Sequence, residues 1–147
     1  MANSNPLPID PEIYQKTLAQ IRIQQVALDK VTADCKRGAI NPADATVEVK
    51  ASTRSEHEES EFHALITYSL TAIQNTHIVL SIEATFRLTF ETDLPVPTGF
   101  SEVFETYNLR PSTMPYFREL VASITGRMEI ATLTLPYELL GRASAED

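Results

Sequence analysis

The stretch His77-Ile-Val-Leu-Ser-Ile-Glu-Ala-Thr-Phe-Arg-Leu-Thr-Phe-Glu91 alternates apolar and polar residues along nearly its whole length. Ile78, Leu80, Ile82, Ala84, Phe86, Leu88 and Phe90 fall on one face. His77, Ser81, Glu83, Thr85, Arg87, Thr89 and Glu91 fall on the other. Successive strand side chains point to opposite faces, so this period predicts a long β-strand with one dry face. The neighbouring runs read the same way. Phe62, Ala64, Ile66, Tyr68, Leu70 and Ala72 share a face, and Asn75 stands in a tight turn before the next strand. Val47, Val49 and Ala51 alternate with Thr46, Glu48, Lys50 and Ser52, and the polar run from Arg54 to Glu61 suits a hairpin tip. Links this short join antiparallel neighbours. A sheet with one apolar face carries its helices on that face. Leu65, Ile73 and Val79 share the outer face: chance residues if scattered, an oligomer contact if clustered.

Upstream the pattern slips. Ile21 and Ile23 alternate, then Val26 and Leu28, then Val31, Ala33 and Cys35. The parity changes twice, as in a long strand with two bulges, each adding one residue. A helix over the same residues is the rival reading. Asp10-Pro11-Glu12 is a helix start, with a capping carboxylate, a proline in the first turn and an acid after it. Ile13, Tyr14, Leu18 and Ile21 then line one face of a short helix. Residues 1–9 read as a loose arm. Lys36-Arg37-Gly38 and Asn41-Pro42 mark a loop.

Downstream, Leu94-Pro95-Val96-Pro97-Thr98-Gly99 ends the sheet. Phe100, Val103, Phe104 and Tyr107 have helical spacing, and Arg110-Pro111-Ser112-Thr113 reads as a break. Pro115 opens a second helix carrying Phe117, Leu120, Val121 and Ile124, with Gly126 as its C-terminal cap. Met128, Ile130, Leu133 and Leu135 form an extended apolar arm that Pro136 stops. The expected fold class is therefore α+β: a four-stranded antiparallel sheet with helices packed on one face. The expected organisation is one domain over 1–147, with the sheet over 19–92, a helical region over 100–126, the apolar arm over 127–140 and a frayed tail over 141–147.

Composition narrows the function. At 147 residues and 43% hydrophobic, the chain can bury a core without staples. A net charge of −8 is wrong for nucleic acid, which needs clustered cations. A lone cysteine, Cys35, excludes a disulfide framework and reads as a small buried residue. No apolar run is long enough to span a membrane, and the N-terminus lacks the pattern of a signal peptide. The cytoplasm is the expected compartment. His57 lies among Glu56, Glu58, Glu59 and Glu61, which reads as a solvated hairpin tip; no second arm closes a metal site. His63 and His77 share a face and are candidates for cross-strand pairing. No phosphate-cradling glycine loop and no nucleophile motif is present. No enzyme, metal or cofactor is expected.

What remains is apolar surface: Phe100, Val103, Phe104 and Tyr107, with Ile130, Leu133, Leu135, Tyr137, Leu139 and Leu140. These residues either cover the sheet or form a groove for apolar polypeptide segments.

The run Pro115-Tyr116-x-Arg118-Glu119, followed by Arg127, Ile130 and Leu133-x-Leu135-Pro136, resembles the C-terminal signature of the SecB family of export chaperones. The order of a bulged first strand, a long connection and three antiparallel strands fits as well. Met128 stands where that family has glycine, and Tyr137-Glu138-Leu139-Leu140 replaces its Asn-Phe. The resemblance implies an ATP-independent holdase that keeps non-native polypeptides, among them preproteins for export, in apolar grooves. It implies a homotetramer built as a dimer of dimers, with the SecA motor as a candidate partner. Some relatives instead guard an antitoxin, so a partner-specific adaptor is the alternative. On this reading the apolar residues above contact clients. Leu65, Val79, Pro115, Tyr116, Arg118, Glu119 and Arg127 serve structure or the oligomer interface, with Pro115 starting its helix.

Overall fold

The computed structural model describes residues 8–36, 44–58, 60–92 and 96–128, and only the backbone of Ile23, Gln24 and Glu58. Its elements are α1 (Pro11–Gln20), β1 (Arg22–Cys35), β2 (Thr46–Glu58), β3 (Glu61–Gln74) and β4 (His77–Glu91). Then come α2 (Phe100–Phe104), a π-helical turn (Glu105–Leu109) and α3 (Arg110–Arg127). The strands form one antiparallel sheet in the order β1-β4-β3-β2. The α+β reading holds, with the helical region on one face.

The first strand is a strand and not a helix. Its pairing with β4 shifts between Ile23 and Gln25 and again between Leu28 and Lys30. These two bulges are the two parity changes of the sequence. Asp29, the extra residue of the second bulge, meets Arg87 of β4 at 2.8 Å. The helix before β1 is capped as expected: the Asp10 side chain accepts from the Glu12 N–H at 2.8 Å.

A third bulge was not legible. Ala72 pairs with Leu80 but Ile73 pairs with Ile78, so Val79 is an extra residue in β4. Its insertion inverts the faces at the strand's start. Val79, expected outside, turns into the core at 4% exposure, and Ile78, expected inside, is 51% exposed. Leu65 does lie on the outer face, but it is buried. It is flanked in register by Arg54 of β2 and Arg87 of β4. Neither Leu65 nor Val79 is therefore an exposed apolar residue of this chain. Elsewhere the outer face is mostly polar, with the Thr67 and Thr85 hydroxyls 2.8 Å apart, but Ile73 and the exposed Ile78 pair on it at the turn end of β3 and β4.

The helical region is continuous. The break expected at Arg110-Pro111-Ser112-Thr113 is absent, and Pro115 lies inside α3 instead of opening it. The wider π turn re-registers the backbone ladder just before Pro111, which has no N–H to donate. Hydroxyls assist there: Ser112 donates to the Asn108 carbonyl and Thr113 to that of Leu109, both at 2.8 Å. Gly126 is not the cap either. The helix runs to Arg127, and Met128 ends it in a right-handed conformation that needs no glycine.

Helix α3 docks through Tyr68 of β3. Its ring stacks on Phe117 with centroids 4.6 Å apart, and its hydroxyl lies 2.7 Å from that of Thr113. At the other end of the sheet Phe62, Phe90, Phe100 and Phe104 form an aromatic cluster, with Phe90 and Phe104 edge to face at 4.9 Å. Phe117 is fully buried, so its removal leaves a cavity against Tyr68. Phe117→Ala is expected to lower the unfolding free energy by about 3–5 kcal/mol in urea titrations. A loss below about 1 kcal/mol would contradict this docking.

Candidate polypeptide-binding surface

The helical layer stops short of β1. Val26, Leu28, Val31, Ala33 and Cys35 pair with Leu88, Phe86, Ala84, Ile82 and Leu80, all of which face the core. The β1 residues share that face, yet Leu28 is 44% and Val31 41% exposed. Tyr116 of α3 is 47% exposed as well, its ring 6.5 Å from that of Phe86, the register partner of Leu28. The result is an open apolar strip on the helix side of an edge strand. The signal for its residues was present in the sequence as apolar positions of a slipping strand. Its exposure was not, because that depends on how far the helices reach.

A second feature lies between α1 and the π-helical turn. Tyr14 packs on Phe100 with ring centroids 5.1 Å apart and donates a hydrogen bond to Asn108 Oδ1. Ile9 is buried beneath the same segment. The approach is close at Gly99, where φ is +88° and an added Cβ would lie 2.3 Å from the Pro8 carbonyl oxygen. Only glycine fits both the left-handed backbone and the contact. Between the two elements a cleft of about 320 Å³ remains, lined by Pro11, Tyr14, Gln15, Leu18, Val103 and Tyr107, with Asn108. Burial pushes the Tyr14 hydroxyl up to about 12. Burial also raises the Glu105 carboxyl, with the Glu102 charge adding to it.

The residues expected to contact clients divide three ways. Phe100 and Phe104 are buried in the core, because α1 and the Phe62–Phe90 cluster close over them, and Val103 is buried at the wall of the cleft. Tyr107 is exposed at the mouth of the cleft. Ile130, Leu133, Leu135, Tyr137, Leu139 and Leu140 lie outside the described residues, as do most of the 127–140 arm, the 141–147 tail and residues 1–7. Arg118 is half-buried, whereas Glu119 and Arg127 are exposed on α3.

The histidine pair does not form. His63 pairs with Thr89, its Nδ1 3.1 Å from the Thr89 hydroxyl, while His77 lies at the far end of the hairpin opposite Gln74. Cys35 is half-buried against the core. Among the described residues no group of three or more His, Cys, Asp or Glu could hold a metal ion, and no helix is long and apolar enough to cross a membrane.

No family model matches the sequence, and neither does any curated protein. Solved structures do. The SecB-like chaperone Rv1957 of Mycobacterium tuberculosis, in complex with a ChAD peptide from the HigA1 antitoxin, superposes with a TM-score of 0.76 at 23% identity. The match covers 85% of this chain and 95% of that one. A protein of unknown function from Streptococcus agalactiae superposes with a TM-score of 0.48 at 11% identity, over 80% of this chain and 97% of that one. From the first of these, the chain has the SecB-like fold.

The Tyr14 contact gives a pH-dependent prediction. The folded chain holds this proton more tightly than the unfolded one, which ionises near the ordinary value of 10. The stabilisation is complete below pH 10 and is lost as pH rises through about 12. Tyr14→Phe is expected to cost about 1 kcal/mol at neutral pH through its lost hydrogen bond. It should also lessen the fall in urea midpoint between about pH 9 and about pH 11.5. An equal fall in both proteins would contradict the assignment.

Proposed function

We propose that this chain is a chaperone of the SecB type that holds non-native polypeptides without ATP and works as an oligomer. The chaperone reading is carried by a fold shared with a chaperone solved around a peptide, and the oligomer by the open apolar strip of Leu28, Val31 and Tyr116. A monomer gains nothing from leaving such a strip wet, at about 25 cal/mol per Å² of apolar surface.

The strip itself is assigned to a second copy. β1 is an edge strand whose outer side pairs with no strand among the described residues. An antiparallel β1 from another chain can add there and bring its own helical layer against Leu28 and Val31. Repetition through the helix faces gives a homotetramer, a dimer of dimers. Tyr116, Arg118, Glu119 and Arg127, all on α3, belong to that face.

Clients are assigned to the α1 end of the molecule, where Val103 and Tyr107 line a cleft, and to the apolar arm from Ile130 to Leu140. Many contacts of about 1–2 kcal/mol each would hold an unfolded chain with little sequence preference. Preproteins awaiting export are the client class that the SecB type suggests, with SecA as the motor that would receive them. The acidic charge of −8 favours basic segments among the clients.

A dedicated partner is the second reading. It is favoured by the antitoxin peptide bound to the Mycobacterium tuberculosis neighbour. Capture from a lysate separates the two: many unfolded proteins for the general holdase, one dominant partner for the adaptor.

At equimolar amounts and without ATP, the chain is expected to suppress light scattering from a chemically unfolded client diluted out of guanidinium. Scattering unchanged from a control protein of the same charge would overturn the holdase.

A further inference from the structure

We infer that the cleft between α1 and the π-helical turn is a built anchor site that takes one bulky apolar side chain of an extended polypeptide together with its peptide carbonyl. The inference rests on the polypeptide-binding reading above and narrows it to particular atoms.

The walls set the first half of the chemistry. Pro11, Tyr14 and Leu18 come from α1, and Val103 and Tyr107 from the facing segment. A volume of about 320 Å³ is at the bottom of the range for small-molecule sites, enough for one large side chain and little more. Among the described residues no charged side chain lines it, so an ion, a phosphate or a charged metabolite would enter at the full cost of desolvation. The mouth opens to solvent beside the exposed Tyr107, so a chain can pass along it while one side chain inserts.

Two amides set the second half. Asn108 Oδ1 accepts from the Tyr14 hydroxyl, so the Asn108 amide nitrogen faces the other way. That nitrogen donates to nothing among the described residues, and neither does the side chain of Gln15. Both line the cleft. A neutral carboxamide that both donates and accepts is the natural match for a peptide group. The backbone supports the assignment. Asn108 and Tyr107 sit on the π-helical turn, a conformation uncommon in proteins and frequent at functional sites. Here it places Tyr107 on the surface and Asn108 against Tyr14 in consecutive positions.

The probe is N-acetyl-tryptophanamide, one bulky side chain with a peptide group on each side, titrated into the full chain and followed by NMR. Saturable shifts are expected at the Asn108 side-chain amide and the Val103 methyls. N-acetyl-alaninamide is expected to bind about tenfold or more weakly. Gln15→Trp, at an exposed position, fills the cleft from its rim and should abolish the shifts with the melting temperature unchanged. Tyr107→Ala removes one exposed wall and should weaken binding several-fold. Absence of saturable shifts in the full chain overturns the site, including the case in which the chain's own termini fill it. Unchanged probe binding in Gln15→Trp overturns it as well. The scattering assay on the same wild-type sample separates the two claims. Suppression without probe binding overturns the site alone; probe binding without suppression supports the site and overturns the holdase.

Discussion

A single helix cannot cover four strands. With its side chains a helix is about 10 Å across, whereas four strands about 4.8 Å apart present a wider face. Here the long helix α3 sits over the two central strands, where Phe117 stacks on Tyr68 of β3 and Tyr116 lies by Phe86 of β4. α2 and the aromatic cluster close the end of the sheet near Phe62 and Phe90. The inner face of β1 is what this layer leaves over, and its apolar residues remain wet.

The docking of α3 decides where that remainder lies. The Tyr68 ring sets the height of the helix over the sheet, and its hydroxyl contact with Thr113 sets the helix rotation. Burial keeps the Tyr68 hydroxyl protonated above its ordinary range, so the contact persists at neutral pH. With Phe117 and Val121 turned down into the core, Tyr116 is turned toward Phe86 of β4 and the solvent. Upstream, the π turn lets one continuous helical segment pass Pro111, where two separate helices would have needed a loop. It also presents Asn108 to Tyr14, which ties α1 to the same layer. Sheet, helix and N-terminal segment thus share one aromatic framework.

Much of this was legible in the sequence, for identifiable reasons. Period-two alternation in 62–72 and 80–90 is a local property, and it predicted the two central strands and their core face. The two parity slips in β1 are local as well, and both appear as bulges in the pairing with β4. The bulge at Val79 escaped because Ile78, Val79 and Leu80 are all apolar, so either parity reads as buried. The helix break at Pro111 was misplaced because proline excludes a regular hydrogen bond and not a π turn. The surface was the least legible. Phe100 and Phe104 looked available until α1 and the cluster covered them. Leu28 and Val31 looked like ordinary strand residues until the helical layer proved too narrow. Burial of that kind is a property of the assembled layers and has no period in the chain.

The two apolar regions are assigned different partners. The strip along β1 belongs beside an open strand edge, which offers backbone hydrogen bonds to a second copy. The cleft by α1 has its own amides and no open strand, which suits a passing chain. On the proposed assembly, another copy of this protein covers the β1 strip. Its most direct test is the mass in solution by light scattering after size exclusion, for the wild-type chain and for a Leu28→Glu, Val31→Glu double variant. A species of four times the 16.4 kDa chain mass is expected, falling to smaller assemblies in the folded variant. A wild-type protein that is strictly monomeric, or a variant with the same mass as wild type, would contradict it.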